Sequence, residues 1–416
     1  MRNKYSALAA PAFMLLLVCM LSSCLKDNCR RTYKIYTPVF TKLTALRASV
    51  KSQAPAAIGH AGKIFTRGKW LFLNEQNKGI HVIDNSNPAH PLKTGFINIP
   101  GNIDLYARGN ILYADLYCDL VAIDITDPLH IAATKYLTNT FPDKSGNSSF
   151  RDADSINILT SWTSRDTSID CGIANRFDNC PTCGIYYSAS PQTNSITTAA
   201  GKANAGAAGS MARFAAVNNH MYAVTTRDLN IIDISNAADP VFVQKKSIGW
   251  DIETIFPFDN KLYIGAGSSM SVYDLQDPLN PVQLSWNGHW CSNDPVVADG
   301  NYAYVTLHEA NVCGSKINQL EIYDLSVTGS PRLVKTYPLT HPQGLSKDGD
   351  LLFVCDDGLK VYNTANTTNL QLLKHLPATD TYDVIAQNGL AIVVAKDGIY
   401  QYDYSNLNNI RFLSKL

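Results

Sequence analysis

The sequence lacks three features that would point directly to a function. Its 35 basic and 35 acidic residues cancel to a formal net charge of zero, so no global field would attract nucleic acid or an anionic membrane surface. It contains no G-x-S-x-G, H-E-x-x-H or P-loop motif. Only the N-terminus offers an apolar run of export length. We therefore expect no nucleic-acid partner, no cofactor, no bound metal and no motif-defined catalytic residue.

What the sequence does contain is a short repeated unit. In residues 111–124, ILYADLYCDLVAID, an apolar strand with an aromatic residue leads through a polar hairpin to a second strand that closes on Asp124. Such a unit predicts two antiparallel strands. Further copies can be aligned on the polar residue that closes the second strand, here called the anchor. The other anchors are Asp84, Asp233, Asp274, Asp324, Asn363 and Asp403.

The spacing of the anchors indicates the architecture. Successive anchors lie 40, 109, 41, 50, 39 and 40 residues apart. A period of about 40 residues is the size of a propeller blade, a four-stranded sheet that buries both faces against its neighbours. The sequence therefore predicts an all-β fold, a seven-bladed β-propeller of four-stranded antiparallel blades over residues 56–416, whose last blade is complete without an N-terminal strand. The long spacing predicts one insertion between blades 2 and 3, at about residues 139–209.

The N-terminus has the three parts of a secretory signal. Basic residues precede an apolar run over residues 7–20, which is too short for a comfortable membrane span. The run leads into Leu-Ser-Ser-Cys, which looks like a bacterial lipobox, so we expect a signal peptide at residues 1–23 and lipidation of Cys24. An ordinary secreted protein that is cleaved nearby is the alternative. The expected location is the cell envelope, as a membrane-anchored lipoprotein at the outer membrane, on its periplasmic or its surface side.

Residues 24–55 are predicted to form a lipidated tether. It contains a strand-like piece at residues 33–40 and a helix at residues 41–50, because Leu43, Leu46 and Val50 recur at helical spacing. Pro55 is expected to end that helix.

Turn sequences follow the anchors. Asp-Pro or Asn-Pro pairs come after several of them, as in DNSNP, DITDP and DLQDP. In such turns a short carboxylate accepts hydrogen bonds from backbone N–H groups two or three residues on, and proline presets the backbone angle. We interpret the anchors as structural residues, and cation binding is the alternative. They are expected on the propeller face opposite the connectors between blades; we call these two faces the turn face and the connector face.

The cysteines become interpretable if the protein is exported, because disulfides persist outside the cytosol. Topology favours a disulfide between Cys291 and Cys313, which lie ahead of strand A and in the long B-to-C loop of blade 5. A zinc site formed by these two cysteines with His289 and His308 is the alternative. The pairing of six other cysteines stays open: Cys29, Cys118, Cys171, Cys180, Cys183 and Cys355.

The insertion differs from the blades in composition. The stretch RDADSINILTSW is compatible with one strand, and three of the cysteines cluster around CPTC. That cluster is compatible with a disulfide-stapled loop, half a zinc site or a redox pair. The following stretch, GKANAGAAGS, is almost entirely small residues, which predicts a flexible end.

Alignment of strand A in the seven blades predicts a ring of charged residues at the axis. Since strand A lines the axis, these side chains should crowd the channel mouth on the connector face. The ring is either an ion-pair network that satisfies the axis or a polar recognition pocket with aromatic platforms. The aligned residues are Lys63, Asp104, Arg213, Glu253, Asp294, Gly344 and Asp383, and the residues expected close by are Trp250, Trp290, His289 and His341.

The repeats GIHVIDNSNP, LVAIDITDP, LNIIDISNAADP and MSVYDLQDP resemble those of the LVIVD-repeat β-propeller lipoproteins. The tether segments YTPVF and LRASVK, the segment GSMARFA and the C-terminal end are similar to that family as well. The resemblance implies fold and location, and it brings no catalytic motif. We expect a non-enzymatic binding or scaffold module for a protein or glycan partner. The alternative is a glycosidase-like hydrolase at the channel mouth, with Glu253 and Asp294 as its acid/base pair.

Overall fold

The structure is a computed structural model that describes residues 30–142, 156–170, 207–208, 210–288, 292–293, 295–309, 316–327, 330–378 and 380–416. The chain divides into a small unit, residues 1–39 and 160–194, and a large unit, residues 40–159 and 195–416. Over the described ranges, none of the helices has the length and apolarity needed to cross a bilayer.

Two long strands pair outside the propeller blades and account for the described part of the small unit. These strands are Arg30–Lys42 and Asn157–Asp170. In the small unit the hydroxyls of Thr160 and Thr163 donate to the carbonyl oxygens of Val39 and Thr37, at 3.2 and 3.4 Å. Both strands were predicted, and both are longer than the sequence indicated.

The large unit contains seven blades, each with four antiparallel strands, which confirms the predicted seven-bladed propeller; further short strands extend the sheets of blades 1 and 5. In each sheet the strands, named A to D from the axis outwards, follow the order of the chain. Strands A to D of blades 1 to 3 are Ala61–Arg67, Trp70–Glu75, Gly79–Asp84 and Leu92–Asn98; Leu105–Arg108, Ile111–Leu116, Asp119–Asp124 and Ala132–Leu137; and Phe214–Val217, His220–Val224, Asp228–Asp233 and Val241–Ser247.

The remaining blades repeat this order, and the last one is complete within its own sequence, as predicted. Strands A to D of blades 4 to 7 are Ile252–Phe258, Lys261–Ala266, Ser269–Asp274 and Val282–Gly288; Val296–Asp299, Tyr302–Glu309, Gln319–Asp324 and Arg332–Pro338; Pro342–Asp348, Leu351–Asp356, Leu359–Asn363 and Gln371–Leu376; and Thr381–Gln387, Leu390–Ala395, Gly398–Asp403 and Arg411–Lys415. In blade 5 the short strand Ser292–Asn293 also pairs with strand B.

The burial of each strand explains its composition. Strand B of blade 2, ILYADL, is buried at every position because both of its faces pack against neighbouring blades. Strand D of blade 3, VFVQKKS, lies at the outer edge and is almost wholly exposed, so it tolerates lysine and glutamine. Between blades 3 and 4, for example, Ile231 and Leu229 pack with Ile264 and Leu262. The hydrophobic core is therefore divided among the blade interfaces.

The anchor aspartates form the predicted turns. In five of them Oδ1 accepts a hydrogen bond from the backbone N–H two residues on, at 2.7–2.9 Å. This geometry is that of an Asx turn, in which the carboxylate stands in for a backbone carbonyl. The structural interpretation of these anchors is confirmed for Asp84, Asp124, Asp233, Asp324 and Asp403.

The end of the predicted tether packs on the propeller. The helix spans Leu43–Ala48, and Leu43 and Leu46 are buried in the core cluster that includes blade 2. It is shorter than the predicted 41–50, because residues 41 and 42 belong to the strand Arg30–Lys42; after the helix the chain forms the strand Lys51–Gln53, which pairs with the outer edge of blade 1. The helix thus ends before Pro55, where an exposed sheet edge offers backbone hydrogen bonds.

Side chains close the ring between blades 7 and 1. Asn85 and Gln401 exchange amide hydrogen bonds of 2.9 and 2.7 Å, and the amide of Gln387 donates to Thr66 at 2.8 Å. Apolar residues of both blades form one core cluster beneath these bonds. Closure therefore rests on packing and on side-chain hydrogen bonds between two complete blades.

Candidate functional site

Four residues of the predicted ring meet in the interior of the propeller. Lys63, Asp104, Arg213 and Asp383 expose only 3%, 2%, 6% and 2% of their surface. The ammonium of Lys63 lies 3.8 Å from a carboxylate oxygen of Asp104, which also accepts a hydrogen bond from the backbone N–H of Arg213. The guanidinium of Arg213 donates to the carbonyl oxygen of Ile252 at 3.1 Å. We call these four residues the axial cluster.

Burial dominates the electrostatics of the axial cluster. It lowers the pKa of Lys63 to about 7, although Asp104 and Asp383 act in the opposite direction. It raises the pKa of Asp383 to about 7 and also raises the pKa of Asp104, against the effect of Lys63 in both cases. Groups of opposite charge thus lie close together in a site where burial penalises the charged form of each.

The cluster reaches its compact form because blade 6 contributes a glycine at the aligned position. A Cβ atom placed on Gly344 would lie 2.6 Å from Oδ1 of Asp383 and 2.7 Å from the carbonyl oxygen of Tyr382. Strand A of blade 6 approaches blade 7 so closely that a side chain would collide there. The glycine in the predicted ring is therefore a packing requirement.

A segment of the chain itself occupies the axis. Ala207–Ala208 pairs antiparallel with the inner edge of strand A in blade 1, opposite Thr66 and Phe65. Ser210 then donates from its backbone N–H to Asp383 in blade 7, at 2.9 Å, and accepts at its hydroxyl from the N–H of Leu345 in blade 6, at 2.6 Å.

The same segment continues across the axis to the other side of the ring. The carbonyl oxygen of Ala212 accepts from the N–H of Ile255 in blade 4, at 3.0 Å. A segment that contacts the innermost strands of blades 1, 4, 6 and 7 can lie only at the axis. We call residues 207–208 and 210–213 the axial segment.

The sequence analysis did not predict the axial segment. It predicted that the end of the stretch GKANAGAAGS, which overlaps the start of this segment, is flexible. In the described part of this stretch, Ala207–Ala208 pairs with blade 1 and Ser210 exposes only 3% of its surface. The available signal was the run of Gly, Ala and Ser residues in this same stretch.

The other aligned or neighbouring residues lie elsewhere or outside the described ranges. Glu253 is half-buried, and its charge acts on Arg213. His341 is exposed, with Nε2 3.8 Å from a carboxylate oxygen of Glu309. Trp250 is 69% exposed. The predictions that fall outside the described residues concern Asp294, His289, Trp290, the Cys291–Cys313 disulfide and Cys24.

Trp250 belongs to a pocket at the boundary of blades 3 and 4. The guanidinium carbon of Arg227 lies 3.7 Å from the centroid of its ring. The pocket has a volume of about 210 Å³ and is also lined by Trp286, Ser269, Ser271 and Tyr273. Sequence reasoning did not single out Trp286, although an aromatic residue in an outer strand, SWNG, is a signal for surface recognition.

The structure describes two of the cysteines whose pairing was left open and one histidine of the alternative zinc site. Cys118 and Cys355 are buried and not in a disulfide. Burial raises the pKa of Cys118 to about 12, and it also raises the pKa of Cys355, so both thiols are unreactive at neutral pH. Burial lowers the pKa of His308 to about 4. Among the residues that the structure describes, no group of three or more His, Cys, Asp and Glu side chains could hold a metal ion.

Comparison with known proteins supports the repeat and the fold. A family model described as the LVIVD repeat matches residues 58–98 and 208–245, which correspond to blades 1 and 3. No curated protein matches the chain. A periplasmic gluconolactonase of Pseudomonas aeruginosa superposes with a TM-score of 0.51 at 11% identity, over 86% of this chain and 96% of the other.

A protein from Lactobacillus plantarum gives a TM-score of 0.52 at 12% identity, over 85% of this chain and 96% of the other. Identities this low establish similarity of fold alone, and a propeller fold serves enzymes and binding proteins alike.

Proposed function

For this seven-bladed β-propeller with LVIVD repeats, we propose a role as a non-enzymatic binding or scaffold module whose connector face meets a protein or glycan partner. The module is held at the membrane by a lipid on Cys24, at the outer membrane of the cell envelope. Its neutral net charge suits a partner that is recognised by shape and hydrogen bonding rather than by a strong field.

The observation that carries this proposal is the closed state of the axis. Four of the charged residues expected at the channel mouth, those of the axial cluster, are buried, and the axial segment donates backbone hydrogen bonds to two of them, Asp383 and Asp104. A general acid or base must come within hydrogen-bond reach of its substrate. Lys63, Asp104 and Asp383 therefore act on the stability of the ring.

The connector face offers recognition chemistry instead. Trp250 is exposed there and stacks with Arg227, and aromatic and arginine side chains are enriched in protein interfaces. The alternative function is a saccharide hydrolase with Glu253 and Asp294 as its acid/base pair. Of these two residues the structure describes Glu253. Retaining and inverting glycosidases require two carboxylates about 5–10 Å apart around the scissile bond.

Photo-crosslinking from defined positions tests the proposal. A crosslinking amino acid at Ser268, in the B-to-C hairpin of blade 4, probes the connector face; the same amino acid at Thr368, in the C-to-D turn of blade 6, is the matched control on the turn face. Both positions are exposed. In intact cells we expect discrete protein or glycan adducts from position 268 and none of the same adducts from position 368. Identical adducts from both faces, or none from position 268, would overturn the proposal.

A parallel assay separates binding from hydrolysis. Purified protein is incubated with bacterial envelope polysaccharides, and released reducing ends are measured. We expect no release. If reducing ends appear and are lost in Glu253→Gln or Asp294→Asn, with binding retained, the protein is a hydrolase and the non-enzymatic role is wrong.

A further inference from the structure

The pocket between blades 3 and 4 combines aromatic surfaces with hydroxyl groups. Ser269, Ser271 and Tyr273 alternate along strand C of blade 4, so their side chains share one face of the sheet. Trp286 lies directly opposite Ser271 on strand D. Trp250, from the connector into blade 4, lines the same pocket. Two indoles therefore border a row of hydroxyls.

The first indole is fixed by a glycine. Trp286 is 63% exposed, and its ring lies along its own strand over Gly288. A Cβ atom on Gly288 would come within 2.4 Å of Cη2 of the indole, so any other residue there would displace the ring. Gly288 thus allows the ring of Trp286 to lie flat beside the pocket. An exposed aromatic ring that is fixed in this way loses little conformational entropy when a ligand stacks on it.

The second indole is held by its backbone and by Arg227. The N–H groups of Ile248 and Ile252, on either side of Trp250, donate to the carbonyl oxygens of Arg227 and Thr226, at 3.0 and 3.1 Å. The hydroxyl of Tyr273 donates to the carbonyl oxygen of Ile248 at 3.1 Å. The guanidinium of Arg227 stacks on the ring of Trp250. The pocket is therefore preorganised on both sides.

The lining selects the chemistry of the ligand. All residues that line the pocket are uncharged, and they combine aromatic rings with serine hydroxyls. A pyranose ring has the complementary pattern, because its C–H face stacks on an aromatic ring while its hydroxyls exchange hydrogen bonds with neutral donors and acceptors. A phosphate or carboxylate would require a cation in the lining, whereas the guanidinium of Arg227 stacks on Trp250 and is not among the lining residues. The volume of about 210 Å³ lies below the ~300–1,000 Å³ of pockets for drug-sized ligands, so it suits one ring.

We propose that the pocket formed by Trp250, Trp286 and the serines of strand C binds one neutral pyranose ring of a glycan. This inference rests on the proposed function. Of the two kinds of partner named there, it specifies the glycan and assigns it one site and one class of ligand. The ring is a terminal or side-branch sugar, because the pocket is closed at its base by Ile264 and Tyr273, which are buried in the core between blades 3 and 4.

The test measures binding of neutral oligosaccharides to the purified propeller. The probes are gluco-, galacto-, manno- and N-acetylglucosamine oligosaccharides, and the readouts are saturation-transfer NMR and titration of tryptophan fluorescence. We expect one of these series to bind, and Trp286→Ala to weaken its binding at least roughly tenfold, which corresponds to about 1.4 kcal/mol. Ser271→Ala should weaken it less. The matched control is Phe412→Ala, which removes an aromatic residue that is 56% exposed on strand D of blade 7 and should leave binding unchanged.

Gly288→Ala keeps both indoles and displaces one of them, so it separates the role of the pocket from a simple loss of tryptophan. We expect it to weaken sugar binding while the unfolding transition stays close to that of the wild type. Absence of binding to every neutral series, or equal affinity of the wild type and Trp286→Ala, would overturn the pocket. In either case connector-face adducts from position 268 would leave the broader proposed function intact, so the two failures are distinguishable.

Discussion

Aspartate occupies two contrasting environments in this propeller. At the turns, hydrogen bonds from Lys69 and Ser86 lower the pKa of Asp84 to about 2, and those from Ser405 and Arg411 lower the pKa of Asp403 to about 2. At the axis, burial raises the pKa of Asp383 to about 7. The same side chain is therefore a fixed anion at the turn face and a group that titrates near neutrality inside the ring.

The turn aspartates were predictable because their partners are local. The sequence DITDP places Thr126 two residues after Asp124, and the bond between them needs no other part of the chain. The register of the axial residues was also predictable from the repeat. Their burial was not, because it depends on contacts such as that between Ser210 and Asp383, which are 173 residues apart.

The variant Arg213→Ala tests whether the axial cluster stabilises the fold. We expect Arg213→Ala to lower the free energy of unfolding by roughly 3–5 kcal/mol, because it removes a buried cation that interacts with Asp104 and Glu253 and so weakens the charge compensation of the site. Urea denaturation measures the loss. Arg411→Ala, which removes an exposed arginine paired with Asp403, is the control and should change stability little. Equal stability of the two variants would show that Arg213 is not part of a compensated interior.

Glu75 should make the stability of the propeller depend on pH in the acidic range. Glu75 is buried beside His81, and burial alone would raise the pKa of its carboxyl group. Hydrogen bonds from the backbone N–H groups of Gly59 and His60 and from the side chains of Lys78 and His81 outweigh burial and lower that pKa to about 2. Because the folded-state pKa lies below the ordinary value of 4.5, the carboxylate stabilises the fold fully above that pH and loses this effect as pH falls towards 2.

The Glu75→Gln variant should therefore show a shallower decline of unfolding free energy between pH 4.5 and pH 2 than the wild type, measured by urea titration at several pH values. Glu309→Gln, at an exposed glutamate, is the control and should follow the wild type. Parallel curves for the wild type and Glu75→Gln would contradict this account.

At the scale of elements, the blades were predictable and the axial segment was not. A blade leaves a repeated pattern of apolar strands and an anchor, so its seven copies can be aligned. The axial segment has no copy, pairs over only two residues with blade 1, and is otherwise held by single hydrogen bonds to distant blades. The helix Leu43–Ala48 shows the same limit, since its periodicity predicted it but its end is set by the edge of blade 1.

Ser210 tests the axial segment. Its hydroxyl accepts from the buried N–H of Leu345, so Ser210→Ala should leave that N–H without its partner and cost about 1–3 kcal/mol of unfolding free energy. Ser405→Ala is the control, because Ser405 is exposed in a turn and its hydroxyl bonds only a local carboxylate. If chemical denaturation finds Ser210→Ala as stable as Ser405→Ala, the segment does not fasten blades 6 and 7 at the axis.

At the scale of the whole molecule, we expect stability and membrane attachment to be separate properties. The ring closes between two complete blades through bonds such as Asn85 to Gln401, and among the strands that the structure describes none from the N-terminal region pairs with blade 7. Cys24 lies outside the described residues and ahead of every strand of the blades. We therefore predict that loss of the lipid leaves the blades folded.

The variant Cys24→Ser tests lipid attachment to the membrane, and its folding serves as the internal control. We expect the variant to leave the membrane fraction and become soluble while its thermal unfolding stays unchanged, because membrane retention depends on acyl chains and folding depends on the blade interfaces. Mass spectrometry of the N-terminal peptide should show acylation in the wild type only. Cys29→Ser, five residues further on, is the matched cysteine variant and should stay with the membrane. Membrane association of Cys24→Ser equal to that of Cys29→Ser would count against a lipoprotein and favour a secreted protein that is cleaved nearby.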